Sequence, residues 1–201
     1  YEAAEWSEAY AEGKKMTTSC CPAFINMLRK HFPEQFENNM STTVSPMCAV
    51  SRYLKATHPG CKTVFIGPCI AKKSEAQDKS VPDNADYVIT YGELRVLLRA
   101  TGKELTPIAE DYQESSIWGK KFATSGGVAA AVVEVMQERG EDTSALKLCK
   151  AAGGAECKKA LTLLKVGKLP EDFVEGMICP GGCVGGPSKN KTEIEIMKAR
   201  N

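Results

Sequence analysis

Three stretches of this chain set cysteine beside proline or paired glycines, and they lie far apart: Thr18-Ser19-Cys20-Cys21-Pro22, Gly67-Pro68-Cys69 and Cys179-Pro180-Gly181-Gly182-Cys183. Proline and paired glycine break helices and strands, so Cys21, Cys69, Cys179 and Cys183 are predicted on loops. A fold that uses them together must carry three distant loops to one place. Four thiolates so gathered are what an iron-sulfur cube requires of a protein.

The 201 residues suffice for one domain with a substantial core, and two lobes are within that length. With 26 basic against 25 acidic residues, the chain has neither the basic footprint of a nucleic-acid binder nor an acidic-substrate funnel. No run of apolar residues is long enough to span a membrane and no secretory signal is visible, so neither nucleic acid nor membrane is an expected partner. Nine cysteines, an odd number, then predict a cytoplasmic, reducing compartment in which grouped thiols serve as metal ligands or reactive groups. Tyr1 opens the chain inside what reads as a running helix, which predicts a piece of a longer polypeptide.

Helical signals cover residues 2–12 up to Gly13, and again from Pro22, where Phe24, Ile25, Leu28 and Phe32 recur at helical spacing up to Pro33. Cys21 therefore falls at a helix N-terminus, where the dipole favours a thiolate. Ser45-Pro46 caps and starts a helix with Met47, Val50, Tyr53 and Leu54 on one stripe. The run 63–66 reads as a buried strand ending just before Cys69, and 86–90 as a second strand leading into a helix with Leu94, Leu97 and Leu98. A Gly126-Gly127 turn opens an Ala- and Val-rich helix to about Arg139, and 146–149 is a third strand. A helix at 155–166 and a fourth strand at 173–178 follow, the latter ending at Cys179. Residues 76–85 and 101–121 read as loops and 189–201 as a polar tail. The alternation predicts an α/β fold with mainly parallel sheets flanked by helices, whose ligands gather beyond the carboxyl ends of strands.

Taken alone, the Cys179/Cys183 pair suits zinc, an iron-sulfur cluster or no metal at all. Its glycines would let backbone N–H groups approach inorganic sulfide. Cys20 cannot easily share its neighbour's metal; it is either a thiol placed to pass protons or a small buried hydrophobe. Lys72, three residues past Cys69, can reach an anion held beside the thiolates, or lie in solvent as Lys73 does, and Glu75 can pair with either lysine. Cys48, Cys61, Cys149 and Cys157 read as packing, and His31 and His58 as helix-end residues. The Gly126-Gly127 turn is a weak anion-site signal.

In order along the chain, Thr18-Ser19-Cys20-Cys21-Pro22, then Pro68-Cys69-Ile70-Ala71-Lys72-Lys73-Ser74-Glu75, then Glu175-Gly176-Met177-Ile178-Cys179-Pro180-Gly181-Gly182-Cys183 resemble the three signatures of the [FeFe]-hydrogenase catalytic domain. The resemblance covers about residues 17–188. It implies a two-lobed α/β domain, of which residues 1–201 form part, with the upstream portion and the ferredoxin-like domains absent from this chain. It also implies an H-cluster: a [4Fe-4S] cubane joined through one cysteine to a di-iron unit carrying CO, cyanide and azadithiolate. By position, Cys21, Cys69, Cys179 and Cys183 would bind the cubane, Cys183 also bridging to the di-iron unit. Cys20 would relay protons, Lys72 would hold a cyanide, Met177 would pack on the di-iron unit and Ser45 matches a proton-path serine. Reversible oxidation of H2 to protons and electrons, ferredoxin or upstream ferredoxin-like domains as electron partner, and maturation proteins as further partners follow from the same resemblance.

The chain also departs from the family pattern. Gly67 stands where catalytic members commonly have Met, and Val184-Gly185-Gly186-Pro187-Ser188 lacks the longer glycine run ending in Gln-Pro. The glutamates of the family's proton path precede Cys20 by two helix turns or more, and neither Glu2 nor Glu5 is assigned to them. These departures resemble the sensory branch, in which the cluster detects hydrogen.

Overall fold

The computed structural model describes residues 1–102, 116–192 and 194–195. Helix α1 (Glu2–Ala11) leads to a two-residue strand β1 (Met16–Thr17), and the loop that follows delivers Cys20 and Cys21 to α2 (Pro22–His31). Pro22 takes the first helical position and Cys21 is the N-cap, an arrangement suited to proline because its missing N–H would be orphaned there in any case. Pro33 starts a second short helix, α3 (Pro33–Asn39), where the sequence reading saw only a stop. Helix α4 (Pro46–Thr57) is capped by Ser45, whose Oγ accepts from the Cys48 amide.

Strand β2 (Val64–Gly67), helix α5 (Ala71–Ala76), strand β3 (Tyr87–Thr90) and helix α6 (Tyr91–Ala100) form one unit, in which β2 and β3 pair in parallel. The rest comprises α7 (Ile117–Lys121), α8 (Gly127–Glu138), β4 (Leu148–Ala152), α9 (Gly154–Lys165) and β5 (Phe173–Met177). Strands β1, β5 and β4 make a parallel three-stranded sheet with β5 in the middle.

Strand β5 is buried at every position, as the centre of a parallel sheet covered on both faces should be. Its alternation divides the core in two. Val174 faces Phe24, Leu28, Cys157, Leu161 and their neighbours on α2 and α9. Phe173 and Met177 face Trp6, Val128, Val132 and Met136 on α1 and α8, with the Trp6 and Phe173 rings stacked 4.1 Å apart. Gly176 lies under Phe24, where a Cβ would come within 2.4 Å of the ring.

The expected α/β architecture with parallel sheets is present, with several corrections. Helix α5 was not anticipated, and α7 lies within the stretch read as loop; residues 103–115 of that stretch are outside the described residues, as is most of the polar tail. The strand expected at 146–149 begins two residues later. On α4 the inward residues are Met47, Cys48 and Ser51, while Val50 and Tyr53 are exposed. Ser51 shares a hydrogen bond with Thr63, so two small residues bring the helix close to the chain entering β2. Nor is β2 buried: Val64 and Ile66 are 49% and 42% exposed, since apolar β-branched residues signal a strand without stating what covers it.

Candidate metal centre

Each predicted ligand lies just past the carboxyl end of a parallel strand: Cys21 after β1, Cys69 after β2, and Cys179 and Cys183 after β5. Backbone contacts tie these loops together. The Ser188 amide donates to the Pro68 carbonyl at 3.1 Å, the Ser125 amide to Gly181 at 3.0 Å and the Val184 amide to Ala123 at 3.1 Å. The Lys72 ammonium donates to the Cys20 carbonyl at 3.4 Å.

The thiols also act on one another. Burial, followed by the charges of Cys21 and Cys69, pushes the Cys183 thiol up to about 11. Cys179 is raised by burial and then by the same two neighbours, and Cys69 by burial with Cys21 adding to it. All four sulfurs therefore share one electrostatic neighbourhood. Among the described residues, however, no three His, Cys, Asp or Glu side chains are grouped as a single metal ion would require. Four mutually interacting thiols are the donor set that a [4Fe-4S] cubane takes.

Beside them is a cavity of about 520 Å³ whose wall includes Cys20, Cys21, Lys72, Met177, Cys183 and Phe122. Of the residues singled out in the sequence, Cys20, Lys72 and Met177 therefore meet two of the four predicted ligand cysteines at one cavity. Lys72 is only 7% exposed and pairs with Glu75 at 2.7 Å; it is not the solvated lysine of the alternative reading. Lys73 is the outward one, paired with Glu93. Burial, then the charge of Glu2, raises the Cys20 thiol well above its usual value, which keeps its proton in place.

Ser45 does not line this cavity but is one carboxylate away from Lys72, through Glu75. It lines a second, smaller cavity and donates to Glu75. The serine that meets a glutamate of α1 is Ser41, which donates to Glu5, and Thr42 adds both its hydroxyl and its amide. Glu2, one turn before Glu5, is raised to about 7, by burial first and then by Glu5 and Glu175; its Oε1 is buried without a partner. Ser41, Glu2 and Glu5 were missed or left unassigned because only the packing of α1 brings Glu2 into the field of Cys20 and sets Glu5 against the 41–43 segment; their three-residue spacing on a helix was the available signal. The Gly126-Gly127 turn does hold an anion, and it is internal: the Glu175 carboxylate. Cys157 is buried packing, as expected, its thiol directed at the Ala151 and Met177 carbonyls.

The family model described as the iron only hydrogenase large subunit, C-terminal domain, matches residues 1–187. The chain is 27% identical to the periplasmic [Fe] hydrogenase large subunit of Nitratidesulfovibrio vulgaris, over 84% of this chain and 50% of that protein. It is 25% identical to iron hydrogenase 1 of Clostridium pasteurianum, over 92% and 40%. Similarity extends to a cytosolic Fe-S cluster assembly factor of Kluyveromyces lactis, at 27% over 84% and 50%. The chain spans half or less of the length of these curated relatives. Among solved structures, an [FeFe]-hydrogenase variant from Chlamydomonas reinhardtii has the same fold, with a TM-score of 0.73 at 24% identity over 99% of this chain and 70% of that one.

Proposed function

The chain belongs to the C-terminal-domain family of iron-only hydrogenase large subunits, and from that premise we propose that it is the part of a hydrogenase that holds an H-cluster and interconverts H2 with protons and electrons. One observation carries this reading. The cavity bordered by Cys21 and Cys183 is also bordered by a fifth thiol, Cys20, and by a buried ammonium, Lys72. A domain that only stored or delivered a cubane, the alternative raised by a relative named as an assembly factor, would use four thiols and gain nothing from the other two groups.

Cys21, Cys69, Cys179 and Cys183 would hold the [4Fe-4S] cubane. Lys72 would hold an anionic ligand of the di-iron unit by a charge-assisted hydrogen bond, and Met177 would supply apolar contact. When bound, the di-iron unit supplies the metal site at which dihydrogen is made or split. Cys20 carries a proton at Sγ on the cavity side, and Glu2 is the carboxyl whose charge acts most on it. A thiol held protonated within the field of a carboxyl raised to about 7 offers a proton donor and a proton acceptor suited to neutral pH. Glu5, bonded by Ser41 and Thr42, continues the line from Glu2 along α1.

Electrons would pass to ferredoxin or ferredoxin-like domains, and the di-iron unit would come from maturation proteins, in a cytoplasmic setting favoured by the free cysteines. Gly67 in place of Met and the shortened glycine run favour a second reading, a hydrogen sensor with low turnover. Infrared spectra of the full-length protein, produced anaerobically with its maturation machinery, test the first: bands from bound CO and cyanide are expected. A protein with iron and sulfide but no such bands overturns it, and bands with very slow H2 turnover select the sensor.

A further inference from the structure

Glu175 is a carboxylate where packing alone would ask for an apolar residue. It lies on β5 between Phe173 and Met177, on the face covered by α1 and α8, and is 1% exposed. Each of its oxygens has a fixed use. The Gly126 amide donates to Oε1 at 2.5 Å and the Ala129 amide to Oε2 at 2.7 Å, so one side chain binds two amides at the start of α8. The positive end of a three-turn helix offsets part of the cost of burying this charge. Burial still raises the carboxyl, with the amides of Ala129 and Gly126 opposing.

The segment so held is the one that grips the cysteine loop. Gly126 is the N-cap of α8 with φ +82, and just before it Ser125 donates to Gly181 while Ala123 accepts from Val184. Gly182, between the two cysteines, presses so closely on this segment that a Cβ there would lie 2.6 Å from the Ser125 nitrogen and 2.8 Å from the Ala123 oxygen. The path from Glu175 to Cys179 and Cys183 thus runs twice: along the chain through the end of β5 to Cys179, four residues on, and across the amides at the start of α8.

Resting on the hydrogenase reading above, we infer that Glu175 is a positioning residue, which locks the 123–126 segment against the Cys179–Cys183 loop so that both thiols face those of Cys21 and Cys69. It touches neither substrate nor cluster. Glutamine keeps the shape but turns an NH2 toward an amide N–H, replacing an attraction by a clash of donors. Aspartate keeps the charge but is too short to span both amides.

Two measurements on the full-length protein test the role. In the cluster-free state, E175Q should exchange the amides of 123–129 and 179–185 roughly tenfold faster than wild type, with α4 unchanged. After anaerobic reconstitution with ferrous iron and sulfide, it should retain less than half of the wild-type iron and acid-labile sulfide, and its reduced cluster should give an altered electron paramagnetic resonance spectrum. E175D should deviate in the same direction, and judges the proposal if E175Q does not fold. Wild-type exchange in both segments in either variant overturns it, as does an E175D protein indistinguishable from wild type. If wild type itself takes up no cluster, the hydrogenase reading fails while the exchange data still decide the role of Glu175.

Discussion

At the scale of single residues, the proposed proton transfer divides between Cys20 and Glu2. Replacing Cys20 by Ala removes its thiol from the cavity wall and leaves the four proposed ligand cysteines in place. H2 turnover should fall by about 100-fold or more, the usual worth of a positioned proton donor, while iron and sulfide content stay at the wild-type level. Equal turnover would remove Cys20 from the path. Glu2 carries a second prediction, readable as stability. Its carboxyl is raised from 4.5 to about 7 in the folded protein, so the folded state keeps a proton that the unfolded chain releases near 4.5. The resulting stabilisation is complete below pH 4.5 and is lost as pH rises through 7. Denaturant titrations at pH 5 and pH 8 should differ by roughly 2 kcal/mol more in wild type than in E2Q. A difference that E2Q leaves intact would assign it to other groups.

At the scale of elements, what could be read in advance depended on how local the signal is. The three cysteine loops were legible because proline and glycine mark loops whatever packs around them, and Ser45-Pro46 marked the start of α4 for the same reason. Strand β1 was not: two residues carry no periodicity, and β1 exists only because Met16 and Thr17 add to the edge of β5. The face of α4 was misread because its inward side is made by Cys48 and Ser51, small residues that count for little in an apolar pattern but admit the close approach to Thr63. The site divided likewise. Cys20, Lys72 and the ligands sit next to loop signals, whereas Glu2, Ser41 and Glu175 take their places from contacts between elements remote in sequence. The contact of β5 with α2 gives a further prediction. Gly176→Ala drives a methyl into the Phe24 ring, and overpacking of this kind costs about 1–3 kcal/mol. Because the strain falls three residues before Cys179, thermal stability and cluster uptake should decline together; F24L, which relieves the clash, should restore both in the double variant.

At the scale of the whole molecule, the four cysteines that would hold the cubane come from both of the sheets described. Cys69 follows the two-stranded sheet, and the other three cysteines follow strands of the three-stranded one. The two parts differ in how well each is covered: β5 is buried throughout, while β2 leaves Val64 and Ile66 half exposed. A two-stranded sheet with an open face is marginal alone, so without a cluster its amides should exchange well before those of the three-stranded sheet. A group bound at all four thiols would join Cys69 to Cys21 and Cys179 across long stretches of chain, and a cross-link closing loops of that length contributes about 4 kcal/mol in the chain-entropy account. For a protein of this size that corresponds to a rise of about 10 °C in the unfolding temperature. Calorimetry of the anaerobic protein before and after reconstitution measures the rise, and hydrogen exchange locates it. Slowed exchange in β2 and β3 on loading is the expected result. Slowing confined to β1, β4 and β5 would mean that Cys69 takes no part in holding the cluster, and Cys69→Ala should then load as wild type does.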